Sequence, residues 1–168
     1  MRMHSSLHEN VLITFTFAVA LILTVLPLPH WIVFARPEWV FILLLFWLMH
    51  APHKIGPIIA WFLGLYMDLL LGTVLGMHAL IYVVFAYIIQ KFLRGIQAMP
   101  LWQCVLGVGF CTFLSIVVQC FFLYSIEKVS IHSQVFLPVL TSMLFWPWLY
   151  FLCRDVRSYG EYRLMHTR

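Results

Sequence analysis

Charged residues are scarce in this sequence. Of its 168 residues, 10% are Asp, Glu, Lys or Arg, whereas a typical soluble domain has about 25%, and 64% are hydrophobic. This composition excludes a soluble domain and indicates an integral membrane protein. The length allows one compact domain, which we assign to residues 1–168. The net charge of +4 does not indicate a nucleic-acid partner, because the basic residues lie in short loops and in the C-terminal tail.

The motifs of catalysis and metal binding are also lacking. The sequence contains no phosphate-binding loop, no HExxH helix, no paired carboxylates, and no nucleophile with a base at usable spacing. Its four cysteines lie in or beside apolar runs without CxxC spacing, which is typical of small core hydrophobes. His50 and His53 flank a proline that spoils a shared metal site on a helix, so we interpret them as solvated loop residues. We therefore expect no enzyme, no cofactor and no metal site.

Six apolar segments are present, and they predict six transmembrane helices. The predicted spans are residues 11–28, 37–50, 55–71, 77–90, 101–124 and 135–152. A span needs about 20 apolar residues, so the second helix must start at Pro37 and extend its ends into the interfaces. The third and fourth spans are joined only by GTVLG, which predicts an antiparallel hairpin. The sixth contains Pro147, which predicts a kink.

The basic residues are distributed unevenly among the predicted loops. With the N-terminus inside, eight of the ten Lys and Arg residues lie on the inner side, and Arg36 and Lys128 lie on the outer side. Cytoplasmic loops carry an excess of these residues. The distribution predicts an even number of spans with both termini in the cytoplasm.

One carboxylate, Asp68, lies within an apolar segment near the predicted outer end of the third span. A charge is costly there, by up to about 2.5 to 3.5 kcal/mol at the bilayer centre. Asp68 has three possible roles: a cap that accepts hydrogen bonds from the amides of residues 72–76, a buried ion pair with Arg36, or a catalytic or relay group. A relay would need a second acid within the spans, and we identify none. His78 begins the fourth span and is either a donor to Asp68 or an interfacial residue.

Glycines recur at four-residue spacing around Asp68. Gly64 lies four residues before it, and Gly72 and Gly76 lie four and eight residues after it. Small residues let a second helix approach closely, which is the role that we predict for Gly64. Gly72 and Gly76 are predicted to bound the turn, where glycine adopts positive φ most easily.

Four sequence motifs occur in an order that resembles one known family. GLYMDLLLGTVLGMHAL, residues 64–80, resembles the G-x-x-x-D-x-x-x-G-x-x-x-G signature of MreD, a family of small rod shape-determining membrane proteins of bacteria. VFARPEWVFILLLFWLMHAPHKIG resembles the segment in which that family carries an Arg-Pro pair, here Arg36 and Pro37. LWQ at 101–103 and WPWLYFL at 146–152 match the variant of Gram-negative rods. The resemblance covers about residues 10–157, nearly the whole chain.

The resemblance implies a fold, a location and a function. The fold would be an all-α integral membrane protein of the bacterial inner membrane, similar to the six-helix substrate-capturing subunits of energy-coupling-factor transporters. The function would be a non-catalytic scaffold of the elongation complex, which maintains rod shape and supports lateral peptidoglycan synthesis. The implied partners are MreC and, through it, MreB, RodA and the elongation transpeptidase. The residues that match the family pattern, and that we interpret as the centre of a pocket or helix-docking surface, are Gly64, Asp68, Gly72, Gly76, Arg36 and Pro37.

Two other classes of function remain open. A subunit that holds a small ligand or lipid in an outer-leaflet cavity needs polar side chains that converge within the spans, and the spans offer Asp68, Ser115 and Gln119. A channel or ion-coupled carrier needs several intramembrane charges. We therefore place the scaffold first, the binding subunit second and the carrier last.

Overall fold

The computed structural model describes residues 2–27, 35–97, 99–127 and 133–166. These residues form six α-helices and one short 3-10 helix, so the predicted all-α class is confirmed. The α-helices are α1 (Arg2–Val25), α2 (Trp39–His50), α3 (Pro57–Leu71), α4 (Met77–Gln97), α5 (Leu101–Glu127) and α6 (Leu137–His166). The 3-10 helix, Ser133–Phe136, leads directly into α6.

Each predicted span coincides with one α-helix, but several helix ends differ. α1 begins at Arg2, well before the predicted start at residue 11, and the predicted end at residue 28 lies outside the described residues. α4 and α6 continue to Gln97 and His166, beyond the predicted ends at 90 and 152. Polar flanking residues can continue a helix beyond its apolar part, so hydropathy marks the apolar part and not the helix ends. α6 also continues through Pro147 without interruption.

Among the described residues, one helical segment is long and apolar enough to cross a bilayer by itself, Leu101–Ser125 in α5. Four shorter apolar segments accompany it: Glu9–Val25, Trp39–His50, Pro57–Leu71 and Met77–Leu93. The number of spans and the side of each terminus remain predictions.

The short helix α2 forms the centre of the core. All ten residues from Val40 to Met49 are buried, because α1, α4, α5 and α6 all contact this helix. Phe41 stacks on Tyr82 of α4 with ring centroids 5.5 Å apart. The indole N–H of Trp47 donates to the hydroxyl of Thr16 on α1 at 3.1 Å. A helix that is apolar on every side is one that other elements enclose.

α3 and α4 form the most extensive helix pair in the described structure, as the predicted hairpin requires. Their backbones touch at Gly64, where an added Cβ would lie 2.4 Å from Cα of Ala79. Only glycine permits this approach, so the close-packing role predicted for Gly64 agrees with the structure. The hairpin places the end of α3 beside the start of α4, where the first candidate site lies.

Candidate functional site

The Asp68 carboxylate joins the end of α3 to the turn and to the start of α4. It is 1% exposed. Oδ2 accepts the backbone N–H of Gly76 at 2.8 Å, and Oδ1 accepts the backbone N–H of His78 at 3.0 Å. The hydroxyl of Thr73 donates to Oδ1 at 3.1 Å. These are the hydrogen bonds of a turn cap, the first of the roles considered for Asp68.

His78 completes this cluster. Its Nδ1 lies 2.7 Å from Oδ1 of Asp68, and the residue is 5% exposed. An ionised carboxylate can only accept hydrogen bonds, so Nδ1 carries the hydrogen. His78 is therefore a buried donor to Asp68 and not an interfacial residue.

Gly72 and Gly76 give the turn its backbone shape. Gly72 caps α3 in the left-handed conformation with φ of 65°, and its N–H donates to the carbonyl of Asp68. Gly76 has φ of 95°. An added Cβ would meet no atom within 4 Å at either position, so backbone conformation and not space favours glycine here.

The ion pair with Arg36, which was the second of the roles considered for Asp68, is absent from the described residues. The Arg36 guanidinium donates instead to the backbone carbonyls of Thr24 and Leu26 at the end of α1. The last carbonyls of a helix have no donor within the helix and carry its negative dipole end, so they attract a cation. Pro37 is buried beside Arg36, and its carbonyl accepts the N–H of Trp39 at 2.9 Å. Arg36 and Pro37 thus belong to the connection between α1 and α2, not to the Asp68 cluster.

Glu38, at the start of α2, is a second carboxylate that contacts other helices, and it is half-buried. Its Oε2 accepts the hydroxyl of Ser115 at 2.8 Å, and its Oε1 accepts the side-chain amide of Gln119 at 2.8 Å, both from α5. Its backbone N–H lies 3.3 Å from the buried Ser142 hydroxyl of α6. Glu38 therefore links the start of α2 to α5 and α6 by hydrogen bonds.

The sequence analysis missed the role of Glu38. Its statement that the spans contain no second acid is wrong, because Glu38 lies within the predicted span 37–50 and contacts α5. Ser115 and Gln119 were recognised as polar residues of the fifth span, and their four-residue spacing places both on one face of a helix. That spacing was the available signal for a polar partner. Tyr82 is 2% exposed and connects the Asp68 cluster to α2: its ring centroid is 6.1 Å from that of His78 and 5.5 Å from that of Phe41, three residues after Glu38.

His50 differs from its predicted role as a solvated loop residue. It ends α2, its ring stacks on Phe46 at a centroid distance of 4.2 Å, and its Nδ1 lies 2.9 Å from the Phe46 carbonyl. His53 is 65% exposed at its side chain, as expected for a loop residue. No group of three or more His, Cys, Asp or Glu residues that could hold a metal occurs in the described part of the chain.

The two clusters share one chemical property. Each oxygen of both carboxylates accepts a hydrogen bond from a group in another helix or turn. Such groups fix the relative positions of helices, and leaving any of their donors unpaired in the interior would be costly. The arrangement suits a structural role in holding the helices together.

Comparisons with known proteins agree on one family. The family model described as rod shape-determining protein MreD matches residues 4–156. A curated relative, Rod shape-determining protein MreD of Haemophilus influenzae, is 33% identical over 144 residues, which cover 84% of this chain and 87% of the relative. No solved structure matches this chain.

Proposed function

Because the chain belongs to the MreD family of rod shape-determining proteins, we propose that it acts in cell shape as a non-catalytic membrane scaffold. In this proposal it binds MreC and, through MreC, the filament protein MreB, the glycosyltransferase RodA and the elongation transpeptidase. It thereby supports synthesis of the lateral cell wall.

The observation that carries the proposal is that both carboxylates, Asp68 and Glu38, hold helices of the same chain together. Asp68 closes the α3–α4 hairpin through Gly76 and His78. Glu38 ties α2 to α5 through Ser115 and Gln119. A catalytic acid must face a substrate, whereas these oxygens face donors of the same chain. The polar groups of the interior therefore support a rigid helical platform.

The proposed membrane placement has six spans in the bacterial inner membrane, with both termini in the cytoplasm. Large apolar side chains are exposed on every helix except the enclosed α2, for example Phe15, Phe62, Tyr87, Phe110 and Leu144. In water such extended patches would promote aggregation, whereas in a bilayer they face lipid. The distribution of Lys and Arg supports the orientation. The proposed fold, similar to the six-helix substrate-capturing subunits of energy-coupling-factor transporters, rests on the family resemblance.

A second candidate function is a subunit that holds a small ligand or lipid in the outer leaflet. It is favoured by a cavity of about 420 Å³ between the end of α1 and the end of α3, lined by Ile22, Val25, Pro27, Tyr66 and Leu70 among others. Ligand sites need several convergent polar groups, and this cavity is mainly apolar. The scaffold remains the first choice.

Site-directed photocrosslinking in cells tests the scaffold directly. A photoreactive residue at Trp61, Phe110 or Leu144 samples the exposed faces of α3, α5 and α6. We expect one face to crosslink to MreC while the others do not. A reporter fused after residue 168 should be active in the cytoplasm, and one inserted near Ile131 should be active in the periplasm. Absence of any MreC crosslink from a correctly inserted protein would refute the scaffold, and periplasmic activity of the C-terminal fusion would refute the six-span placement.

A further inference from the structure

A groove runs between α1 and α3. α3 packs mainly on α4, whereas α1 packs mainly on α2, and the space between α1 and α3 is about 810 Å³ in volume. Its walls include Ile13, Phe17 and Leu21 of α1 and Ile59 and Leu63 of α3. One end of the groove differs from the rest, because Asn10, Thr14, His53 and Lys54 line it. The groove is therefore amphipathic along its length.

The groove has the length of one bilayer leaflet. Asn10 and Leu21 both line it, and they are eleven residue steps apart on α1. At 1.5 Å per residue this distance is about 16 Å, and one half of the hydrocarbon core is about 15 Å thick. A lipid chain that follows the groove would thus begin beside the polar end and finish near the bilayer midplane.

The polar end carries two opposite charges side by side. The ammonium of Lys54 lies 2.9 Å from Oε2 of Glu9 and donates to Oδ1 of Asn10 at 2.8 Å. Nε2 of His53 lies 4.0 Å from the same Glu9 oxygen. Because Glu9 offsets the charge of Lys54, this end favours a ligand that itself carries both charges over one that is purely anionic.

We propose that the groove between α1 and α3 binds a zwitterionic phospholipid with an ammonium headgroup, taken from the cytoplasmic leaflet. The phosphate lies beside Lys54 and His53, the ammonium lies beside Glu9, and an acyl chain follows Phe17 and Leu63. The leaflet assignment rests on the membrane placement proposed above, in which Lys54 is cytoplasmic. The lipid fills the space between α1 and α3 and joins two helices that otherwise pack on different neighbours.

The test uses full-length protein reconstituted in bilayers of equal phosphatidylethanolamine and phosphatidylglycerol. After mild detergent extraction, native mass spectrometry counts the lipids that each protein retains. Ala18 is exposed and lines the groove, so Ala18→Phe obstructs the chain path without altering the charged end. Val84→Phe adds bulk to an exposed position of α4 and serves as the matched control. We expect the natural protein and Val84→Phe to retain phosphatidylethanolamine, and Ala18→Phe to retain about tenfold less.

A second variant tests the headgroup assignment. Glu9→Gln makes the polar end net positive, so the retained lipid should shift toward phosphatidylglycerol by about tenfold, the effect of one charge-assisted contact. Equal retention of the two lipids by the natural protein, or unchanged retention in Ala18→Phe, would overturn the proposal. MreC crosslinking on the same samples separates the two ideas: a crosslink without selective lipid retention overturns the lipid site alone, and lipid retention without a crosslink overturns the scaffold alone.

Discussion

Replacing Asp68 tests how the hairpin is held. Asp68→Leu removes both oxygens that accept from the turn, whereas Asp68→Asn keeps one oxygen and replaces the other with a donor. In the structure, Oδ1 accepts from His78 and Thr73, and Oδ2 accepts from Gly76. The two variants therefore differ in how many donors lose their acceptor.

The loss of folding stability in each variant can be estimated from the backbone donors that are fixed in the turn and cannot find another acceptor. In Asp68→Leu, the backbone N–H groups of Gly76 and His78 lose their acceptor, and each unsatisfied buried donor costs about 1–3 kcal/mol, or about 2–6 kcal/mol together. In Asp68→Asn, the remaining oxygen can serve His78 while the new NH₂ group opposes the Gly76 N–H, a loss of about 1–3 kcal/mol. The expected order of stability is natural protein, then Asp68→Asn, then Asp68→Leu.

Hydrogen exchange followed by mass spectrometry measures this effect where it occurs. Exchange in residues 72–80 should accelerate strongly in Asp68→Leu and moderately in Asp68→Asn, and rod shape at equal protein level should decline in the same order. Arg36→Ala is the control, because its guanidinium contacts the end of α1 and should leave exchange of this turn unchanged. Exchange and cell shape as in the natural protein in Asp68→Leu would refute the reasoning. Accelerated exchange of the turn in Arg36→Ala would indicate that Arg36 does pair with Asp68.

Two further predictions concern the helix contacts. Gly64→Leu should prevent α3 from packing on α4, because even a Cβ would lie 2.4 Å from the neighbouring backbone, and the yield of folded protein in detergent should fall sharply. Gly107→Leu is the control, because Gly107 lies on an exposed part of α5 where an added Cβ would meet no atom within 4 Å, and this variant should fold normally. Equal yields of the two variants would contradict this account. Glu38→Leu leaves the buried Ser115 hydroxyl without its acceptor and should destabilise the protein by about 1–3 kcal/mol, whereas Glu38→Gln should lose less. The Gln119 amide keeps a second acceptor, the Ser115 hydroxyl oxygen at 3.3 Å. Thermal unfolding in micelles compares the two, and identical transitions would show that the α2–α5 contact contributes nothing.

The sequence by itself determined the features that depend on neighbouring residues. The apolar runs located the six α-helices of the described residues, because the apolar character of a segment is a local property. The turn after α3 could also be predicted from the sequence, because Asp68, Gly72 and Gly76 lie within nine residues and the backbone conformation of the glycines follows from residue type. Gly64 was identified as a close-packing position because it has no side chain, which is also a property of the residue type alone.

Only the tertiary structure decided which distant groups meet. Glu38 contacts Ser115 and Gln119 across 77 and 81 residues of sequence, and its N–H faces Ser142 across 104 residues. The sequence offered Asp68 as a partner for Arg36, whereas in the structure the Arg36 guanidinium donates to backbone carbonyls at the end of α1. The groove between α1 and α3 likewise exists because α3 packs on α4 while α1 packs on α2. Helix positions follow from local composition, but the partners of a polar side chain depend on how whole helices pack, and hydropathy contains no information on which helices become neighbours.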